Sequence, residues 1–147
     1  MKLTSFIRNG TRGYGAVTDD GICDLTSAIN GISDLKGLLE TGGLSRAADV
    51  ANGRPADFPI EEIEFLPLIP NARKIICVAV NYLAHAREAG RTIGEHPVLF
   101  HRHTQTQVGH QQPLLVPKAS HQLDFEGEIA VILGKGGAHI KPEDAMD

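Results

Sequence analysis

The sequence predicts an α+β protein, with a small β-rich unit over residues 1–70 and the opening strands of a larger, mostly β fold over 71–147. Three observations carry that expectation. Two extended runs at the start are joined by Asn9-Gly10, the strongest two-residue hairpin signal. Pro55, Pro59, Pro67 and Pro70 then punctuate a passage that suits a linker or a domain boundary. Beyond it the apolar runs are short, and only brief stretches suit helices.

Composition bounds the function classes. The 147 residues are 41% hydrophobic and 22% charged, ordinary globular material, with only 5% aromatic residues and no Trp, so the core relies on aliphatic side chains. A net charge of -4 without a basic stripe argues against a general nucleic-acid or membrane-surface binder. No run approaches the roughly 18 apolar residues of a membrane span, and Met1–Phe6 lacks an apolar signal-peptide core, so a cytoplasmic location is expected. Cys23 and Cys77 form no ligand motif and are expected as buried, reduced thiols.

Taken in order, Lys2–Arg8, Arg12–Thr18 and Ile22–Leu25 read as a three-stranded meander whose second turn is Asp19-Asp20-Gly21. Ser33 is expected to cap a helix over Asp34–Glu40 that stops at Gly42-Gly43, and Ser45 another that runs to Asn52 and stops at Gly53. The proline-rich passage is expected to hold only short extended pieces such as Ile63–Leu66. From Lys74 the apolar run KIICVAV suits a strand buried on both faces. Asn81 is expected to cap a two-turn helix over Tyr82–Ala89, closed by Gly90. Pro113–Val116 reads as a short strand, and Lys135-Gly136-Gly137 as a hairpin turn before Ala138–Ile140. Pro142 opens a helix that the sequence barely enters before Asp147, which suggests the N-terminal part of something longer.

Two pairs of residues carry candidate chemistry. His85 and Glu88 lie three apart on the short helix, hence on one face. A carboxylate there orients the imidazole and raises its basicity, as a general base requires, although such a pair is also common on solvated helices. The second pair sits in LDFEGEIAVILG, Leu123–Gly134, which alternates as a strand and points Glu126 and Glu128 the same way. Like charges two apart are unfavourable unless water or a hard divalent cation compensates them. A half-exposed strand with an acidic outer face is the competing reading, and Ala130 and Ile132 on that face weigh against it. The polar stretch His96–Pro117 adds Arg102 as an anion contact, while His101 and His103 lack the companion ligands of a zinc site.

The segments KIICVAVNYLAHAREAG, HPVLFHRH and QPLLVPKASHQLDFEGEIAVILGKGGAHIKPEDAMD together resemble the fumarylacetoacetate hydrolase family. The resemblance spans Lys74–Asp147, and the leading meander resembles that family's small first domain more loosely. It implies a fumarylacetoacetate-hydrolase-like catalytic fold, Glu126 and Glu128 as two ligands of a divalent metal (Mg2+ or Mn2+), and His85 with Glu88 as the catalytic dyad. The family's third carboxylate ligand and its catalytic lysine lie downstream of the matching segment, and Asp147 is not promoted to that role. Ala79 stands where the family often has Gly, and Arg102, the expected substrate contact, where it often has Lys.

The resemblance further implies a metal-dependent hydrolase that cleaves a carbon-carbon bond in a small, acylpyruvate-like dicarbonyl acid, and a homodimer. Isomerisation or decarboxylation of a related oxo-acid needs the same enolate and is the alternative. A reading of another class is a catalytically inert fragment or structural subunit without a complete metal site. A histidine-rich transition-metal binder built on His101 and His103 is a third.

Overall fold

Asn9 and Gly10 take positive φ, 50° and 76°, the backbone of a type I′ turn, whose twist matches that of the strands it joins. Those strands are β1 (Lys2–Arg8) and β2 (Thr11–Thr18), paired from Lys2 opposite Val17 to Arg8 opposite Thr11. β3 (Gly21–Asp24) pairs with β2, completing the expected meander. β4 (Glu64–Phe65) returns after the proline-rich passage to pair with β1, so the antiparallel order is β3-β2-β1-β4. The computed structural model describes residues 1–146; Asp147 lies outside the described residues.

Period-two alternation gives this sheet two buried faces. On one, Tyr14, Ala16, Cys23, Leu25 and Ile29 pack with Leu35 and Leu38 of α1 (Leu35–Glu40) and Ala47 of α2 (Leu44–Ala51). On the other, Phe6, Ile22 and Phe58 form a smaller cluster, with the two phenyl rings edge to face at 5.6 Å. Burying one such large apolar side chain contributes about 1.5–3 kcal/mol. The candidate chemistry lies elsewhere in the chain.

The helix ends are partly as the sequence suggests. α1 stops at Gly42, where the Gly43 N–H reaches the Leu38 carbonyl at 2.8 Å and the Gly42 N–H the Leu39 carbonyl at 3.0 Å, a Schellman closure. Its N-cap is Asp34 and not Ser33, because the Asp34 carboxylate accepts from the Gly37 N–H at 2.7 Å. α2 is capped by Gly43 with no side-chain bond, and Ser45 lies inside the helix, where its hydroxyl cannot cap.

After residue 70 the chain pairs once more. β5 (Ile75–Ala79) runs antiparallel to β6 (Val98–Arg102), from Ile75 opposite Arg102 to Ala79 opposite Val98. β6 was not anticipated, since the sequence reads as irregular there. β5 is not buried on both faces: Ile75, Cys77 and Ala79 are half-buried, whereas Ile76 is 61% exposed. Two strands cannot cover both of their faces. Cys23 is buried and Cys77 half-buried, both as free thiols.

Three further elements expected from the sequence are not formed. Leu123–Gly134 pairs with nothing among the described residues and is exposed throughout, Phe125 to 89%. Pro113–Val116 and Ala138–Ile140 likewise make no ladder. A strand is a pairing phenomenon, and alternation without a partner leaves backbone groups to water. Pro142–Asp144 forms a single 3-10 turn with Pro142 at its first position.

Side-chain bonds fasten this second half to the first. The Gln112 amide donates to the Glu64 carboxylate at 2.6 Å and to the Phe65 carbonyl at 3.2 Å. Gly109 is buried against Phe65, where an added Cβ would collide with the Phe65 carbonyl. The Gln107 amide donates to the Ile69 carbonyl at 3.4 Å. No helix among the described residues is long and apolar enough to cross a membrane.

Candidate active site

The strand-to-helix turn after β5 is where the structure is most constrained near the candidate dyad. Val80 has φ 52°, a left-handed conformation that a β-branched residue adopts at a cost of order 1–3 kcal/mol. The turn leads into α3 (Leu83–Glu88), whose cap residue is Tyr82 and not Asn81, with no side-chain cap bond. Gly90 ends the helix as expected: it takes φ 62°, the Arg91 N–H reaches the Ala86 carbonyl at 2.8 Å, and its own N–H reaches the Arg87 carbonyl at 3.1 Å.

Helical spacing puts His85 and Glu88 on one face. His85 is half-buried and Glu88 exposed, while Ala86 between them carries the buried contact of the helix. The two side chains make no hydrogen bond to each other among the described residues. An unliganded acid-base pair is often looser than the reacting one, so this spacing is compatible with a dyad without assembling it.

Glu126 and Glu128 are both exposed on the unpaired 123–134 segment. Nothing restrains them into one orientation, because the pleat that would align them is absent. In donor chemistry they suit a hard divalent cation, which prefers carboxylate oxygens. In number they fall short, since no group of three or more His, Cys, Asp or Glu side chains converges on a metal position among the described residues. Nor does an ion pair or hydrogen bond join Glu126 or Glu128 to α3.

Arg102 is the last residue of β6, opposite Ile75. Four register positions separate it from the Ala79–Val98 end that leads to α3, about 13 Å at strand rise. It therefore stands at the other end of the ladder from the Ala79–Val98 pair. What sequence reading missed is its company: Arg73 and Lys74 lie beside it, together with His101 and His103, whose rings meet edge to face at 5.7 Å. The HRH alternation was visible; its juxtaposition with Arg73 and Lys74 required the β5–β6 register.

The sequence profile described as fumarylacetoacetate (FAA) hydrolase C-terminal matches residues 74–147, half of the chain. The chain belongs to the fumarylacetoacetate hydrolase family. That match includes His85, Glu88, Arg102, Glu126 and Glu128. Among curated relatives of the family, the mitochondrial oxaloacetate tautomerase fahd2 of Xenopus laevis is 39% identical over 85 residues, 58% of this chain and 27% of that protein. Human mitochondrial oxaloacetate tautomerase FAHD2A is 35% identical over 88 residues, 60% of this chain and 28% of that protein. The fumarylacetoacetate hydrolase domain-containing protein 2 homolog of Dictyostelium discoideum is 30% identical over 155 residues, with 99% of this chain and 50% of that protein covered. The chain thus spans half or less of the length of these relatives.

The fold has a solved counterpart in a Mycobacterium smegmatis protein described as HpcE, with a TM-score of 0.62 at 22% identity over 80% of this chain and 41% of that one. The α+β class, antiparallel sheets with few short helices, agrees with this likeness.

Proposed function

We propose that the whole protein is an enzyme that forms an enolate from a small 2-oxo acid with the aid of a divalent cation. The observation that carries this reading is the family match across 74–147, which joins the His85–Glu88 helix and the Glu126–Glu128 segment in one pattern. Glu126 and Glu128 are two of the cation's ligands in this reading, and Mg2+ or Mn2+ suits their oxygens. When bound, such a cation supplies Lewis acidity toward neighbouring oxygens of the acid. His85 takes a proton from the substrate carbon or from water, and Glu88 holds the imidazole and stabilises its protonated form. Arg102 is an anion contact for the acid.

Two reactions use that chemistry. Keto-enol tautomerisation is favoured by the names of the oxaloacetate tautomerases among the relatives. In it His85 moves a proton between carbon and oxygen and no bond between carbons breaks. Hydrolysis of an acylpyruvate-like compound is the second reading, favoured by the family's name, and there the proton comes from water. We further propose a leading unit over 1–70, the opening of the catalytic unit over 71–147, a homodimer and a cytoplasmic location. The first division is supported by the two apolar clusters, none of whose members lies beyond Ala72.

The test uses a full-length protein that carries this sequence. His85→Ala should lower turnover of oxaloacetate tautomerisation or acylpyruvate cleavage by about 10²–10⁴-fold while leaving Mg2+ or Mn2+ affinity unchanged. Glu126→Gln with Glu128→Gln should abolish metal binding in calorimetry. Full turnover in His85→Ala removes the dyad from the account, and loss of activity on only one of the two substrates decides between the reactions.

A further inference from the structure

β5 and α3 are joined by only three residues, Val80, Asn81 and Tyr82. The direction in which the helix leaves the strand is therefore set by few backbone angles. Val80 carries the unusual one, φ 52°. Asn9, Val80, Gln111 and His139 are the non-glycine residues with positive φ among the described residues, and Val80 alone of them is β-branched. In the left-handed region Cβ crowds the following carbonyl oxygen; asparagine tolerates this, whereas a branched side chain is a genuine outlier there.

Such a conformation persists only where the surroundings over-determine it. Here they act from both sides of the turn. Upstream, β5 is paired through its last residue, Ala79 opposite Val98. Downstream, Ala86 is 3% exposed and its N–H reaches the Tyr82 carbonyl at 2.9 Å, so the first turn of α3 closes onto a buried anchor. Val80 itself is half-buried between them.

α3 contributes little to its own placement. Its six residues are fewer than an isolated helix needs in water, and Tyr82 makes no side-chain cap bond. His85 lies within this helix, one residue before the buried Ala86. Its position then follows from how the chain turns at Val80.

We propose that Val80 is a positioning residue for His85. Its left-handed backbone aims α3 from the end of β5, and the two anchors hold it there against the preference of a β-branched residue for extended backbone. This role rests on the reading of His85 as the proton-transferring group and adds the residue that places it. A displacement of about 1 Å at a reacting group costs on the order of 10²-fold in rate, so the aim of a short helix matters.

The experiment varies the backbone preference at position 80 in a full-length protein that carries this sequence, with oxaloacetate and an acylpyruvate as substrates. Val80→Pro fixes φ at about −65° and favours an extended preceding residue, which Ala79 already is in β5. It should lower kcat about 10²-fold while KM and Mg2+ affinity are kept. Val80→Gly and Val80→Asn both accept positive φ and should turn over substrate at least about tenfold faster than Val80→Pro. In hydrogen exchange followed by mass spectrometry, Val80→Gly should slow the Leu83–Gly90 amides about tenfold, because the strain that opposes the turn is gone. Unaltered protection over β1–β3 reports that each variant is folded.

Full turnover in Val80→Pro, or a kcat in Val80→Gly as low as in Val80→Pro, overturns the proposal. If Val80→Pro unfolds, the exchange result decides: Leu83–Gly90 amides that exchange as fast in Val80→Gly as in the wild type, or faster, overturn it too. Turnover that survives in His85→Ala strikes the reading of the dyad, whereas turnover lost in His85→Ala but kept in Val80→Pro strikes this proposal alone.

Discussion

Residues 11–25 and 123–133 carry the same kind of pattern and meet opposite fates. In the first, Tyr14, Ala16, Ile22, Cys23 and Leu25 are all at most 2% exposed. In the second, Phe125, Ile129, Val131 and Leu133 are each at least 78% exposed. Alternation marks which residues would share a face; it does not create the partner that turns a face into a core. β2 has β1 and β3 as neighbours, delivered by two tight turns, whereas the 123–133 run has none among the described residues.

The local turns explain part of the contrast. Asn9-Gly10 has the positive φ values that twist two strands together, so β1 and β2 meet over seven residue pairs. The Pro117–Ser120 turn before the acidic segment closes with a Ser120 N–H to Pro117 carbonyl bond at 3.2 Å. It nevertheless brings no ladder between the runs on either side. A closed turn is thus insufficient without a partner surface against which the flanking apolar side chains are buried.

The sharpest way to break this comparison is a matched pair of truncations. Leu25→Ala should cost about 2–5 kcal/mol in urea unfolding, because its side chain is wholly enclosed by the larger cluster. Ile129→Ala, at 81% exposure, should change the same midpoint by less than about 0.5 kcal/mol. Equal losses would show that the 123–133 run buries itself in solution.

A smaller effect is expected where the two halves touch. Gly109→Ala places a methyl group against the Phe65 carbonyl and should cost about 1–3 kcal/mol. Amide exchange should show the loss around β4 and Gln112 first, since the Gln112 amide bonds to Glu64 and Phe65 depend on that close approach. A uniform loss across β1–β3 would mean that the two halves are more tightly coupled than these contacts indicate.

The smallest effect is a pH dependence of the first region. Burial pushes the Cys23 thiol above its ordinary value of 9.0, the Arg54 guanidinium partly opposes this, and Asp57 and Asp24 add to it. Burial likewise raises the Tyr14 phenol above 10.0. The unfolded chain therefore releases these protons at lower pH than the folded one, so above about pH 9 the unfolded state binds fewer protons and stability falls as pH rises. Their contribution is fully present below that point. Urea midpoints measured from pH 7 to 11 should decline from about pH 9, and in Cys23→Ala the decline should begin nearer pH 10. An unchanged onset near pH 9 would remove Cys23 as the cause of the decline.

Legibility in the sequence followed the range of the interaction that decides each feature. The meander, the Schellman stop at Gly42 and the Gly90 stop rest on contacts within a few residues, and they are formed as read. The caps at Ser33 and Ser45 failed by one or two positions, because several residues compete for the same free N–H groups and small differences in packing decide. β6 escaped notice because its five residues end in His101 and Arg102, and only its pairing with β5 makes a strand of them.

The candidate chemistry divides along the same line. The sequence by itself determined that His85 and Glu88 share a helical face, that Glu126 and Glu128 stand two apart, and that the chain carries its family's pattern over 74–147. These are matters of spacing and identity, which covalent geometry and helix period settle locally. Only the tertiary structure decided that Leu123–Gly134 stays unpaired and that Arg102 lines one cleft with Arg73 and Lys74. Pairing and charge convergence join residues distant along the chain, and the free energy that selects them comes from burial and register that no single segment contains.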